Sequence, residues 1–81
     1  MSESEKQRVD RELLELATAH VRARVEERTW DAYQLTALEG VSGVLAAAQL
    51  GMQVGTVYKA KSKVQAMLQV TLARMQEEAL A

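Results

Sequence analysis

The stretch from Ser42 to Leu68 constrains the fold of this chain more than any other, because it contains two helical runs joined by a very short turn. Ser42 can cap the free backbone N–H groups of the first run, and Gly51 can end that run in the left-handed conformation at little cost. Only Met52 and Gln53 then precede the second run. The pattern predicts a helix from Ser42 to Gly51 and another directly after the turn.

Small side chains accompany the turn and favour a helix-turn-helix over an ordinary helical hairpin. Two helices that cross steeply on so short a turn need small residues where their backbones approach, and the first helix offers Ala46, Ala47 and Ala48. The side chains expected to fill the angle between the helices are Leu50, Met52 and Val57. Together these features predict a helix-turn-helix over about residues 42–68.

The rest of the chain also shows the periodicity and the end signals of helices. Apolar residues recur at steps of three and four near the N-terminus, which predicts a first helix from about Ser4 to Arg24, with residues 1–4 disordered. Thr29 is a suitable N-cap for a second helix that runs to Glu39 and is closed by Gly40.

The last helix is expected from about Val54 to Glu78, a length of about 37 Å. The predicted fold class is therefore all-α. We expect a single small domain over residues 1–81, built from four helices that include a helix-turn-helix and a long C-terminal helix.

The composition excludes several classes of protein. The chain has no cysteine and one histidine, so we expect no disulfide, no metal site and no cofactor. It has no apolar run near the about 20 residues of a membrane span, and its charged start does not resemble a signal peptide, so a cytoplasmic location without membrane contact is expected. There is no paired nucleophile and base and no phosphate-cradling glycine loop, so an enzyme is not expected.

Charge is distributed unevenly, although the net charge is only −1. Residues 1–40 carry six basic and nine acidic side chains, whereas residues 41–81 carry four basic and two acidic ones. No acidic residue lies between Val41 and Gln76, so a phosphate can approach this half without meeting a carboxylate. Three arginines near the end of the first helix are expected to form a solvated helix terminus: Arg22, Arg24 and Arg28.

The second helix is apolar around its circumference, which predicts packing against both of its neighbours. Trp30 can be a core residue or a binding anchor, because tryptophan is enriched at interaction hot spots. In a chain with only three aromatic residues, the core role is favoured for each of these side chains: Trp30, Tyr33 and Leu38.

Residues 28–42, RTWDAYQLTALEGVS, followed by AAAQLGMQVGTVYKAKSKVQAML, resemble region 4 of bacterial sigma-70-type sigma factors, and most closely the extracytoplasmic-function group. Region 4 is the C-terminal DNA-binding domain of these factors. The shared features are an aromatic residue and leucines, then Leu-Glu-Gly, an apolar residue and Ser, then an alanine-rich helix ending in Leu-Gly, and Val-Gly-Thr-Val after the turn. The resemblance covers about half of the chain. The chain departs from the family at Gly43, Val44 and Leu45, where acidic residues are usual, and has lysines where arginines are common.

The resemblance implies a domain that binds the minus-35 element of promoter DNA in transcription initiation and docks on the flap of the RNA polymerase β subunit. An apolar surface of Trp30, Tyr33 and Leu38 is the candidate for that docking, and an anti-sigma factor is a further expected partner. Region 2 of such factors is not among these residues, which predicts an excised domain or a reduced relative.

Helical periodicity divides the second helix of the motif into two sides. Val57, Ala60 and Val64 set the side toward the core, which leaves the opposite side for a major groove. Lysine neutralises phosphate but lacks the planar fork that reads guanine, so we expect weak, salt-dependent binding that tethering to polymerase reinforces. The candidate DNA-binding residues are Ser42, Gln53, Gly55, Thr56, Tyr58, Lys59, Ser62 and Lys63.

Two alternatives remain open at this point. Response-regulator output domains use a similar four-helix unit and bind palindromic sites as dimers, whereas the sigma resemblance implies a monomer or a weak dimer through the C-terminal helix. A helical adaptor that binds only protein also fits the near-neutral charge and the absence of arginine from residues 42–68.

Overall fold

The computed structural model describes residues 3–80, with side chains described over residues 11–79. Within that range the chain forms four α-helices and no strand, so the all-α prediction is confirmed. The elements are α1 (Glu3–Arg24), α2 (Glu27–Tyr33) with a π-helical continuation (Gln34–Leu38), α3 (Gly43–Leu50) and α4 (Val54–Leu80).

α1 begins slightly earlier than predicted. The helix starts at Glu3, one residue before the predicted Ser4, and Met1 and Ser2 lie outside the described residues.

The predicted start of α2 at Thr29 is wrong. Its N-cap is Glu26, which has extended backbone and makes no capping hydrogen bond through its side chain. The N–H of Trp30 donates to the carbonyl oxygen of Glu26 at 3.0 Å and closes the first turn. This register places the Glu27 carboxylate in the first turn, where the dipole favours it, and directs Trp30 into the core.

The second helix does not keep α geometry to its end. The N–H of Glu39 donates to the carbonyl of Gln34 at 3.0 Å, five residues back, as in a π-helix. Inside this turn the buried Thr36 hydroxyl donates to the carbonyl of Ala32 at 2.7 Å. A hydroxyl that occupies a carbonyl of the preceding turn competes with the regular ladder and favours such a widening. Gly40 then closes the segment at φ 71°, as predicted.

Both predicted ends of α3 are confirmed. The Ser42 hydroxyl accepts a hydrogen bond from the N–H of Leu45 at 3.2 Å, and Gly51 is left-handed at φ 65°. The N–H of Met52 donates to the carbonyl of Ala47 at 2.9 Å and turns the chain toward α4. The chain therefore breaks at Gly51 rather than continuing as one rod.

A cluster of small side chains joins α2, α3 and α4. Its buried members are Ala32, Ala46, Ala47, Val57 and Ala60. Leu50 and Met52 pack against it, as predicted, but the predicted role of Ala48 is wrong because this residue is exposed. At about 100° per residue, Ala48 lies on the far side of α3 from the buried pair Ala46 and Ala47.

A second cluster joins α1, α2 and α4 around Trp30. Its buried members are Val21, Trp30, Tyr33 and Val64, and Met67 and Leu68 of α4 pack against it. The rings of Trp30 and Tyr33 lie 5.2 Å apart at 52°, a tilted arrangement that aromatic pairs favour. Because α4 contributes to both clusters, it fixes the three shorter elements relative to one another. No helix within residues 3–80 combines the length and apolar character of a membrane span.

Candidate nucleic-acid interface

The first turns of α4 separate a buried side from an exposed polar side. Thr56, Lys59 and Lys63 recur at steps of three and four residues and are all exposed. The row extends over about 10 Å along the helix, which is within the about 12 Å width of a major groove. The buried side of α4, formed by Val57, Ala60 and Val64, lies about 100° around the helix from this row.

A second exposed row runs beside the first and consists of Gly55, Tyr58 and Ser62. A Cβ at Gly55 would meet no atom within 4 Å, so the packing of this domain does not require a glycine there. The position leaves the backbone of the first turn of α4 open to close approach from outside.

Tyr58 connects this row to the start of α3. A Cβ built on Gly43 would lie 2.6 Å from Cζ of Tyr58 and 2.7 Å from its hydroxyl oxygen. The ring therefore rests on Gly43, while 51% of the residue stays exposed. Gly43, which departs from the resembled family, thus makes room for Tyr58 beside the capping residue Ser42.

We expect Gly43→Ala to move the Tyr58 ring with a net stability change within about 1 kcal/mol, because the better helix propensity of alanine offsets the contact. Nuclear Overhauser contacts between the Tyr58 ring and residue 43 measure the displacement. Gly55→Ala is the matched control: it adds the same methyl group in open space, and it should stabilise α4 by about 0.5 to 1 kcal/mol and leave the ring in place. An unmoved ring in Gly43→Ala would contradict the described contact.

Two further candidates flank α3. Ser42 is exposed, and although its oxygen accepts the Leu45 N–H, its hydroxyl hydrogen remains available to an acceptor such as phosphate. Gln53 is exposed just before α4. All eight residues predicted to bind DNA are therefore exposed: these two and the six residues of the two rows on α4.

Two of the arginines predicted to be solvated are exposed and also make specific contacts. Nη2 of Arg28 donates to the carbonyl oxygen of Leu50 at 3.1 Å and so places a cation at the C-terminal end of α3, where the helix dipole favours it. The guanidinium of Arg22 lies 5.6 Å from the centre of the Trp30 ring, within cation–π range. The sequence alone did not indicate either contact, because the two partners are not neighbours along the chain.

The three residues predicted to bind a protein partner do not form one surface. Trp30 and Tyr33 are only 4% and 8% exposed and belong to the core around Val21, as the sequence also favoured. Leu38, by contrast, is 59% exposed at the end of the π-helical turn. Burial removes the two aromatic rings from any rigid docking surface and leaves Leu38 as the accessible member.

The exposed side chains of this surface offer hydrogen-bond donors and positive charge. Hydroxyl, amide and ammonium groups lie along α4 and the start of α3, and the chain carries no carboxylate from Val41 to Gln76. Within the part of the chain that the structure describes, no three His, Cys, Asp or Glu side chains are grouped to hold a metal ion. The surface is therefore suited to a polyanion that presents several phosphates at once.

No protein-family model, no curated protein and no solved structure matches the chain.

Proposed function

We propose that this chain is a promoter-reading DNA-binding domain of the sigma region 4 type, acting in transcription initiation in the cytoplasm. In this proposal α3, the turn and α4 form a helix-turn-helix, and α4 enters the major groove. The observation that carries the proposal is the exposed row of Thr56, Lys59 and Lys63, which lies beside the side of α4 that is buried in the core.

In this proposal the chemistry of each side chain decides whether it contacts phosphates or base edges. Lys59 and Lys63 neutralise phosphates, while Thr56 and Gln53 lie at the start of the helix, which is the part of a recognition helix that reaches base edges. Tyr58 and Ser42, close together across Gly43, offer two hydroxyl groups to the backbone of one strand. Positioning contacts outnumber reading contacts, so sequence discrimination by the isolated domain is modest.

Weak intrinsic affinity is consistent with a domain that acts while tethered. The proposed partner is the β-subunit flap of RNA polymerase, which raises the effective concentration of the domain at the promoter. An anti-sigma factor is the proposed regulator. Since Trp30 and Tyr33 are buried, Leu38 is the residue of the predicted set through which such a partner makes contact.

Fluorescence anisotropy of a labelled duplex tests the proposal. At low salt we expect a dissociation constant on the order of 100 µM, and with about three phosphates neutralised we expect log K to fall with log salt at a slope of about −3. Lys59→Gln/Lys63→Gln removes two of those contacts and should bring the slope to about −1. The result that would overturn the proposal is equal binding by this variant and the parent, or no binding by either.

A matched control separates local contacts from net charge. Arg24→Gln/Arg74→Gln also removes two positive charges, but from residues outside both exposed rows. It should retain the slope of the parent. If both double variants lose the same affinity, only the net charge matters and the exposed lysine row has no special role.

One observation favours the helical adaptor as a second candidate. Val44 and Leu45, in the first turn of α3, are 62% and 60% exposed, which is unusual beside a phosphate-binding surface. An adaptor that has kept the fold and binds only protein would use these side chains. It predicts no anisotropy change with duplex DNA at any salt concentration.

A further inference from the structure

A groove that the proposed DNA interface does not use lies between the end of α1 and the second half of α4. Its volume is about 280 Å³. The residues that line it are Arg24, Ala66, Met67, Val70, Thr71 and Arg74. Arg74 lies about 16 Å along α4 from Lys63, so this groove is well separated from the exposed lysine row.

The groove combines an apolar floor with a positively charged rim. Met67 packs against the core with one side, and Val70 remains 53% exposed. Arg24 and Arg74 supply two guanidinium groups from different helices, and no carboxylate is among the lining residues. Guanidinium groups pair with carboxylates in a bidentate geometry, so the rim selects an anionic partner while the floor selects an apolar one.

These requirements decide between three kinds of occupant. A second copy that paired α4 with α4 about Val70 would bring Arg24 and Arg74 of both chains, four guanidinium groups, into one small interface, where they would repel one another. Duplex DNA would pair with the arginines but would leave the Val70 side chain without an apolar partner. An amphipathic helix with carboxylates beside an apolar stripe satisfies both features at once.

We propose that this groove is a docking site for an acidic amphipathic helix of a partner protein. Apolar side chains of that helix cover Met67 and Val70, and its carboxylates pair with Arg24 and Arg74. This site extends beyond the proposed DNA binding and does not depend on it, because it uses different residues of α4.

Backbone amide chemical shifts of the full chain, titrated with a synthetic helix, test the site. The probe is a peptide of about 18 residues with leucines at steps of three and four and glutamates on both sides of that stripe. We expect the shifts of residues 66–74 and of Arg24 to change together and to recover as salt is added. The same peptide with lysine in place of every glutamate should leave them unchanged.

Matched variants identify the groups responsible. Arg24→Gln/Arg74→Gln should weaken binding of the acidic peptide about tenfold, whereas Lys59→Gln/Lys63→Gln, which removes the same charge from the other end of α4, should bind like the parent. Glu77 and Glu78 lie one turn beyond Arg74. Their replacement by glutamine should strengthen binding about twofold to threefold by removing like-charge repulsion of the peptide.

Three outcomes would overturn the proposal. The first is the absence of shift changes with the acidic peptide. The second is binding of the lysine peptide as tight as that of the acidic peptide, or chemical-shift changes centred on Leu14 and Leu72. These two residues line an uncharged groove elsewhere on α4. Either result would mean that the peptide adheres to apolar surface in general. The third is a variant Arg24→Gln/Arg74→Gln that loses duplex binding but binds the acidic peptide like the parent. This result would assign the two arginines to the DNA backbone.

Discussion

Trp30→Ala is expected to lower the free energy of unfolding by about 3 to 5 kcal/mol, the cost of emptying a buried aromatic site. Trp30 is 4% exposed, lies 5.2 Å from the ring of Tyr33 and is covered by the guanidinium of Arg22. Domains as small as this one have a total stability near the low end of the usual range of about 5 to 15 kcal/mol. The variant should therefore keep no more than about 2 kcal/mol of stability, which urea denaturation followed by circular dichroism measures.

Two controls separate burial from aromatic character. Tyr58→Ala removes a ring that is 51% exposed and should cost far less than Trp30→Ala. Trp30→Phe keeps a ring in the site and removes Nε1, a buried donor with no hydrogen-bond partner among the residues that the structure describes, so its cost should be clearly below that of alanine. A Trp30→Ala variant as stable as the parent would show that this side chain is a surface anchor and not a core residue.

The assignment of Trp30 also fixes how partner experiments are interpreted. The sequence offered Trp30 both as a core residue and as a binding anchor, and its burial beside Val21 and Val64 decides for the core. Any loss of partner binding in Trp30→Ala would follow from unfolding. Leu38→Ala, at an exposed position, is the variant that reports on docking itself.

Elements with strong local signals were predictable from the sequence. The start and end of α3 depend on Ser42 and Gly51, whose capping oxygen and left-handed backbone act within one turn of the residue itself. The exposed face of α4 was equally predictable, because a period of 3.6 residues places Thr56, Lys59 and Lys63 about 100° around the helix from its apolar stripe. Such features need no knowledge of the rest of the fold.

The errors arose where tertiary packing overrides local preference. Thr29 is a better capping residue than Glu26, yet α2 begins earlier because that register directs Trp30 inward. The π-helical turn depends on where the buried Thr36 hydroxyl finds a carbonyl. Neither choice is encoded by propensity alone.

The candidate interface was also only partly predictable. Periodicity identified its members, but the support beneath them depends on contacts between residues distant in the sequence. Tyr58 rests on Gly43, and Arg28 donates to the carbonyl of Leu50, twenty-two residues away. Contacts of this kind become visible only when the helices are placed together.

α3 approaches the other helices closely at Ala47. Ala47 is 4% exposed in a cluster that contains three other alanines, so the helices meet there with little space between them. Ala47→Leu adds three carbon atoms to this site and should lower the free energy of unfolding by about 1 to 3 kcal/mol, because the helices must move apart or the leucine must adopt a strained rotamer. Thermal unfolding followed by circular dichroism measures the change.

The neighbouring position supplies the control for this prediction. Ala48→Leu makes the same chemical change one residue away on the same helix, but on its exposed side, and should change stability by no more than about 0.5 kcal/mol. The difference between the two variants therefore isolates packing from helix propensity, which is the same for both. If Ala47→Leu melts at the same temperature as Ala48→Leu, α3 does not approach its neighbours closely at Ala47, and α4 is then positioned by the cluster around Trp30. If only Ala47→Leu is destabilised, the alanine contact is what fixes the angle at which α4 is presented to a partner.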